Sequence, residues 1–224
     1  MSANKKRKKP AKESKAAELH RKYPGHSPIP PSKRAVIITL VLTVAISLIL
    51  VFVFKDKAPV SQVTGDKYVQ MKTSMGTIEL ELYTDKAPKT VAQFLKNVEG
   101  HKYDGLTFHR VVKGFMIQGG DPKGDGTGGG EVAFEKTGIS FVRGVVAMAS
   151  SQAGVTQSDI QFFIMQADNT GLDGQYASFG RVIKGMDVVD KIADVPVKAN
   201  PLPSSEKSSP RTKITIIQAT EVAN

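Results

Sequence analysis

From residue 106 to residue 183 the chain is a series of short apolar runs, "LTFHRVV", "FMIQGG", "RGVVAMAS", "QFFIMQA" and "ASFGRVI", separated by glycine-containing polar stretches. Such runs are too short for ordinary helices and are bounded by turn residues, so they read as strands. Upstream, "KYVQMKTSMGTIELELY" alternates apolar and polar residues on both sides of "TSMG", which predicts a hairpin pairing Tyr68–Thr73 with Thr77–Leu82. The next segment, "TDKAPKTVAQFLKNVEG", changes period: Val91, Phe94, Leu95 and Val98 fall at i, i+3, i+4 and i+7. Pro88 suits a first helical turn and Gly100 a stop, so one amphipathic helix is expected here. A second short helix is expected at "GMDVVDKIA", a polar loop at "PVKANPLPSSEKSSP" and a last strand at "KITIIQATEV". Many short strands with only two helices predict a mainly β domain, a closed or nearly closed antiparallel barrel.

Before this domain, residues 35–54, "AVIITLVLTVAISLILVFVF", run for twenty positions without a charge. As a helix rising 1.5 Å per residue this is about 30 Å, the thickness of a bilayer's hydrocarbon core. The run is longer than the apolar part of a signal peptide, and no Ala-x-Ala cleavage pattern follows it, so it reads as an uncleaved signal anchor. Within it Ala35, Thr39, Thr43 and Ser47 share one helical face. Small residues in that spacing let two helices approach, a basis for weak self-association, although hydroxyls bonding back to their own helix account for the same pattern.

The formal charge of +10 is concentrated at one end. Residues 1–34 hold eleven Lys/Arg and two Glu, a net of +9, which leaves +1 for residues 35–224. An almost neutral domain argues against nucleic acid as its partner. The basic excess before the apolar run keeps the N-terminus cytoplasmic and places the C-terminal part outside. The expected organisation is a disordered basic tail over 1–34, a transmembrane anchor over 35–54, a linker over 55–66 and a folded domain over 67–224.

Conventional catalytic groups are scarce. With no cysteine, disulfides, thiolate metal sites and cysteine nucleophiles are excluded. "GGDPKGDGTGGG" lacks the Gly-Lys-Ser/Thr of a phosphate loop. Read as an EF-hand loop from Asp121, it puts Lys123 and Val132 where carboxylates are needed. No Gly-x-Ser-x-Gly occurs, and the isolated histidines lack ligand spacing. What stands out is Arg110 in "FHRVVKGFMIQGGD", a charge inside a core-like strand. In a regular strand it would share a face with Phe108 and Val112.

The stretches "FHRVVKGFMIQGGD", "GDGTGG", "IQFFI" and "LDGQYASFG" occur in the order and approximate spacing of the cyclophilin family of peptidyl-prolyl cis/trans isomerases, which this chain resembles over about residues 67–223. The resemblance implies an eight-stranded antiparallel β-barrel closed by two helices, with the active groove on its outer surface and no cofactor. By motif, Arg110 matches the catalytic arginine. Phe115, Met116 and Phe163 match the pocket for the proline ring, with Leu172 beside it. Gln118 matches the glutamine supporting the arginine and the substrate carbonyl, and Tyr176 a position taken by aromatic residues or histidine. His109, Gln161, Ala149 and Gly171 complete the expected substrate-binding set. Gly171 stands where several members have a tryptophan that helps hold cyclosporin, so weak cyclosporin binding is implied. "ASSQAGVTQSDIQ" is longer than in many members and has Ile160 where serine is usual, so the neighbouring subsite is expected to differ in shape.

That reaction suits the missing acid/base groups. Rotation about a peptide bond costs about 18 to 20 kcal/mol because the nitrogen lone pair is delocalised, and no bond is broken. An apolar grip on the ring and a fixed donor that binds the nitrogen as it pyramidalises suffice. The expected function is therefore isomerisation of X-Pro bonds in proteins folding outside the cytoplasm. The alternative is a catalytically weak module that only binds proline-containing segments.

Overall fold

The computed structural model describes residues 67–199 and 206–223. The basic tail, the expected anchor with its small-residue face, and the linker lie outside these residues. Among the described residues no helix is long and apolar enough to cross a membrane.

The expected hairpin is present as β1 (Lys67–Thr73) and β2 (Gly76–Leu82), in unbroken register from Lys67–Leu82 to Thr73–Gly76. Gly76 has φ +135°, and a Cβ there would lie 2.7 Å from a Val188 methyl, so the turn needs glycine for its conformation and its packing. The helix α1 (Pro88–Glu99) begins on Pro88 and buries Val91, Phe94, Leu95 and Val98, the predicted stripe. Then come β3 (Phe108–Val112), β4 (Met116–Gly119), β5 (Glu131–Ala133), β6 (Val145–Met148), β7 (Thr156–Ser158) and β8 (Phe162–Met165). A short 3₁₀ turn (Thr170–Leu172), β9 (Ser178–Lys184) and α2 (Met186–Ala193) follow. The domain ends with β10 (Val197–Ala199), β11 (Lys207–Pro210) and β12 (Ile216–Val222).

Eight of these strands form one antiparallel sheet in the order β12-β1-β2-β9-β6-β8-β4-β3. The expectation of a closed barrel is corrected: the sheet is a half-barrel with β12 and β3 as its edge strands. Among the described residues the edges meet around the start of β3, through a Thr107–Thr215 bridge and the backbone bonds Phe108 N to Ile214 O (3.0 Å) and Ile216 N to Leu106 O (2.8 Å). Beyond that point the β10–β11 ribbon lies beside β3. This ribbon also corrects the expected polar loop, since "PVKANPLPSSEKSSP" contains both of its strands.

The central strands bury both faces. Along β8, Phe162 and Ile164 enter the main core with α1, while Phe163 and Met165 join a second cluster on the other face. Along β6, Val146 and Met148 face the core, and Val145 and Ala147 the second cluster. Burial on both sides is why these segments read as continuous apolar runs and not as alternating ones.

Candidate active site

The position of Arg110 follows from a β-bulge. Phe108 pairs with Gly119 and Arg110 with Gln118, so β3 advances two residues while β4 advances one, and His109 is the extra residue. The bulge breaks the shared face expected for Phe108, Arg110 and Val112. Phe108 and Val111 point into the main core, Val112 packs on the second cluster, and Arg110 projects from the sheet's outer face.

The guanidinium has partners on two edges. Nη1 donates to Gln118 Oε1 at 3.3 Å and lies 3.8 Å from Met116 Sδ. Nε and Nη2 donate to Oε2 and Oε1 of Glu206 at 2.7 and 2.9 Å. These hydrogen bonds from Arg110 hold the Glu206 carboxyl below the usual glutamate range, opposed by partial burial.

Behind Gln118 runs a directional relay. Gln118 Nε2 donates to Gln161 Oε1 at 3.1 Å, and Gln161 Nε2 donates to the carbonyls of Gly126 and Gly128 at 3.1 and 2.7 Å. The two carbonyls can only accept, so they set which way the Gln161 amide faces. Gln161 in turn sets Gln118, whose oxygen is left for the arginine. This gives the glycine-rich stretch a role. Asp121, 1% exposed, accepts the backbone N–H groups of Lys123, Asp125 and Gly126. A Cβ on Gly128 would come within 2.0 Å of the Asp121 carboxylate. The loop closes on its own aspartate and presents carbonyls to the amide relay.

Arg110, Phe115, Met116, Gln118, Ala149, Ser150, Phe163, Leu172 and Tyr176 enclose a pocket of about 180 Å³. Phe163 forms its apolar wall, with Phe141 stacked at 5.9 Å on one side and Tyr176 edge-on at 5.4 Å. Gln161 stands behind Gln118 and lines an adjoining hollow of about 260 Å³ with Gly126–Gly130, Ser150 and Ser151. The lengthened "ASSQAGVTQSDIQ" segment builds part of that hollow through β7, which pairs with β5. A larger hollow of about 640 Å³ lies between the residues around Thr107, the Asp121–Gly124 loop and the β10–β11 ribbon. Its lining includes the basic side chains of Lys123, Lys198, Arg211 and Lys213, and Arg110 does not line it, so the site belongs to the smaller pocket.

Two expected site residues lie elsewhere. His109, displaced by the bulge, is 7% exposed, borders the larger hollow, and neither ring nitrogen makes a hydrogen bond. Burial holds its pKa below the ordinary value, against the pull of Asp121 and with the push of Arg110. The nearby Thr107 carbonyl favours the protonated ring slightly but lacks hydrogen-bond geometry. Gly171 is exposed on the 3₁₀ turn, its backbone engaged by Asn169 and Gln175, and only Leu172 of that turn reaches the pocket. Sequence reasoning missed Ser150, Phe141 and Glu206. For Glu206 there was no local signal, because it lies 96 residues from Arg110 in a stretch read as loop.

Comparison with known proteins agrees with this geometry. The family model for cyclophilin type peptidyl-prolyl cis-trans isomerases matches residues 68–221. A peptidyl-prolyl cis-trans isomerase-like 1 protein of Neurospora crassa is 40% identical over 158 residues, 67% of this chain and 91% of that one. A peptidyl-prolyl cis-trans isomerase of Acinetobacter baylyi is 45% identical over 137 residues, 57% of this chain and 72% of its own length. A crystal structure of a cyclophilin type isomerase of Cryptosporidium parvum superposes with a TM-score of 0.64 at 29% identity, covering 71% of this chain and 99% of that one. The same protein has been solved in the presence of the dipeptide Ala-Pro. With the matched region spanning the bulged strand, the glutamine relay and the aromatic pocket, the chain belongs to the cyclophilin-type peptidyl-prolyl cis-trans isomerases.

Proposed function

We propose that the pocket grips the proline ring of an X-Pro bond while Arg110 binds the prolyl nitrogen as it pyramidalises, and that this accelerates cis/trans exchange in exported proteins. The carrying observation is that Arg110 Nη1 is held by Gln118 at the lip of a pocket that Phe115, Met116, Phe163 and Leu172 also line. In the planar amide the nitrogen lone pair is delocalised and is a poor acceptor. In the twisted state it is localised and accepts well. A donor fixed in advance therefore binds the twisted state more strongly than either planar isomer, which is the condition for rate acceleration. Phe115, Met116, Phe163 and Leu172 supply the apolar grip, and Gln118 keeps the donor turned inward.

The rest of the proposal concerns place. Residues 35–54 anchor the chain in a membrane, the basic tail stays cytoplasmic, and the folded domain works outside on proline-containing segments. This rests on the twenty uncharged residues and on the basic excess before them.

The test is an exchange measurement on a short Ala-Pro peptide with the full-length chain in detergent micelles, wild type beside Arg110→Ala. Acceleration by the wild type that drops at least tenfold in the variant is expected. Equal rates overturn the catalytic role of Arg110, and peptide binding without acceleration favours the binding-module alternative. For topology, protease added to intact cells is expected to remove the domain and spare the tail, and the reverse pattern overturns the orientation.

A further inference from the structure

We propose that Glu206 is a positioning residue for Arg110: it holds the Nε/Nη2 edge of the guanidinium so that Nη1 stays turned to the pocket. The inference rests on the reading of Arg110 as the donor to the prolyl nitrogen. Both carboxylate oxygens are used, in two roughly parallel bonds of 2.7 and 2.9 Å. That fork fixes a plane as well as a distance, because the guanidinium is rigid and planar. Fixing one edge of a rigid plane aims the opposite edge, and here the opposite edge meets Gln118 and Met116. The arginine side chain is 29% exposed, so without such a clamp its long stem would sample several rotamers with the donor pointing away from the pocket.

Location separates aiming from obstruction. Glu206 does not line the pocket and precedes β11, whose ribbon lies beside β3. The carboxylate therefore approaches the arginine from the side of the ribbon, and the space for a proline ring stays open. Its negative charge reduces the net charge at the donor, so the clamp weakens the field while improving direction. Direction dominates, because the donor must meet a lone pair that exists only in the twisted state. The β10–β11 ribbon thus delivers a carboxylate from a part of the sequence remote from every motif that carries the site.

The experiment measures kcat and KM for isomerisation of an Ala-Pro peptide by the full-length chain in detergent micelles. Wild type, Glu206→Ala, Glu206→Gln, Arg110→Ala and the Arg110→Ala/Glu206→Ala double variant are compared, each with a melting curve. Glu206→Ala is expected to lower kcat/KM about tenfold, mostly through kcat, as misalignment of a catalytic group does. Glu206→Gln, whose single amide oxygen can accept from only one edge N–H, is expected to fall between the two. The double variant is expected to match Arg110→Ala alone, because a clamp has no effect once its arginine is gone. In the free protein, the Arg110 Nε–H resonance should exchange slowly with water in the wild type and rapidly in Glu206→Ala. If Glu206→Ala and Glu206→Gln stay within twofold of wild type, or if Glu206→Ala is faster, positioning is overturned and the faster rate marks a self-inhibiting contact. Equal losses from Glu206→Ala with and without Arg110 also overturn it, since that pattern belongs to a general structural role. An inactive wild type overturns the isomerase reading itself, and this one with it.

Discussion

Gln161 accepts from Gln118 through its side-chain oxygen at 3.1 Å while its own amide nitrogen is tied to two glycine carbonyls. This one contact transmits the orientation of the glycine loop to the residue that supports Arg110. Replacing Gln161 by Leu leaves the Gln118 NH₂ and two carbonyls without their partner and frees the Gln118 amide to flip its nitrogen toward the arginine. A net hydrogen bond is worth about 0.5 to 1.5 kcal/mol, so kcat/KM is expected to fall roughly two- to tenfold. Kinetics on an Ala-Pro peptide checks this, and an unchanged value would show that Gln118 needs no support.

The relay extends to a residue with no functional group. A Cβ at Gly128 would press on the Asp121 carboxylate at 2.0 Å and also approach the Lys123 nitrogen at 3.0 Å. Gly128→Ala therefore expels the aspartate from its three backbone donors, and the loop carbonyls that orient Gln161 move with it. A loss on the order of 1 to 3 kcal/mol follows, roughly 3 to 10 °C in melting temperature for a domain of this size. Activity should fall in parallel, whereas Thr127→Ala next to it, on the exposed side, should leave the melting temperature within a degree or two.

Phe163 tests the grip separately from the donor. Its ring is 5% exposed, stacked on Phe141 and met edge-on by Tyr176. Phe163→Leu keeps an apolar wall but loses both ring contacts, each worth about 0.5 to 1.5 kcal/mol beyond burial. A several-fold rise in KM is expected, with kcat changed less because Arg110 and Gln118 stay in place. A fall in kcat with KM unchanged would mean that the ring acts in the transition state alone.

The sequence made some of this legible and not the rest, for physical reasons. The β1–β2 hairpin and α1 were readable because each has one buried face, which leaves a clean period of two or 3.6. The half-barrel was read as closed because apolar runs report strands and not edge pairing, and the ribbon beside β3 was hidden in "PVKANPLPSSEKSSP", which has little apolar signal. Most of the pocket came from motif resemblance, and the pocket does bring together Arg110, Phe115, Met116, Gln118, Ala149, Phe163, Leu172 and Tyr176. Where the two expected residues lie apart from the pocket, local backbone decides: the bulge turns His109 away, and the 3₁₀ turn leaves Gly171 outside. Glu206 was invisible because a contact spanning 96 residues leaves no local pattern.

His109 supplies a pH dependence of stability that is independent of catalysis. Its ring is buried without hydrogen bonds, and burial lowers its folded-state pKa below the reference of 6.5. The unfolded chain therefore binds a proton at a higher pH than the folded domain does. Stability is complete above the unfolded value and is lost as pH falls from about 6.5 toward the folded value, with a limiting slope of about 1.4 kcal/mol per pH unit for one proton. Below the folded value both states carry the proton and the slope from this group vanishes. Urea unfolding of the full-length chain between pH 7.5 and 5 measures this, in a range above that in which Glu206, with its lowered pKa, titrates. His109→Gln is expected to flatten the dependence in that window. A slope that persists in His109→Gln would place the titrating group elsewhere in the domain.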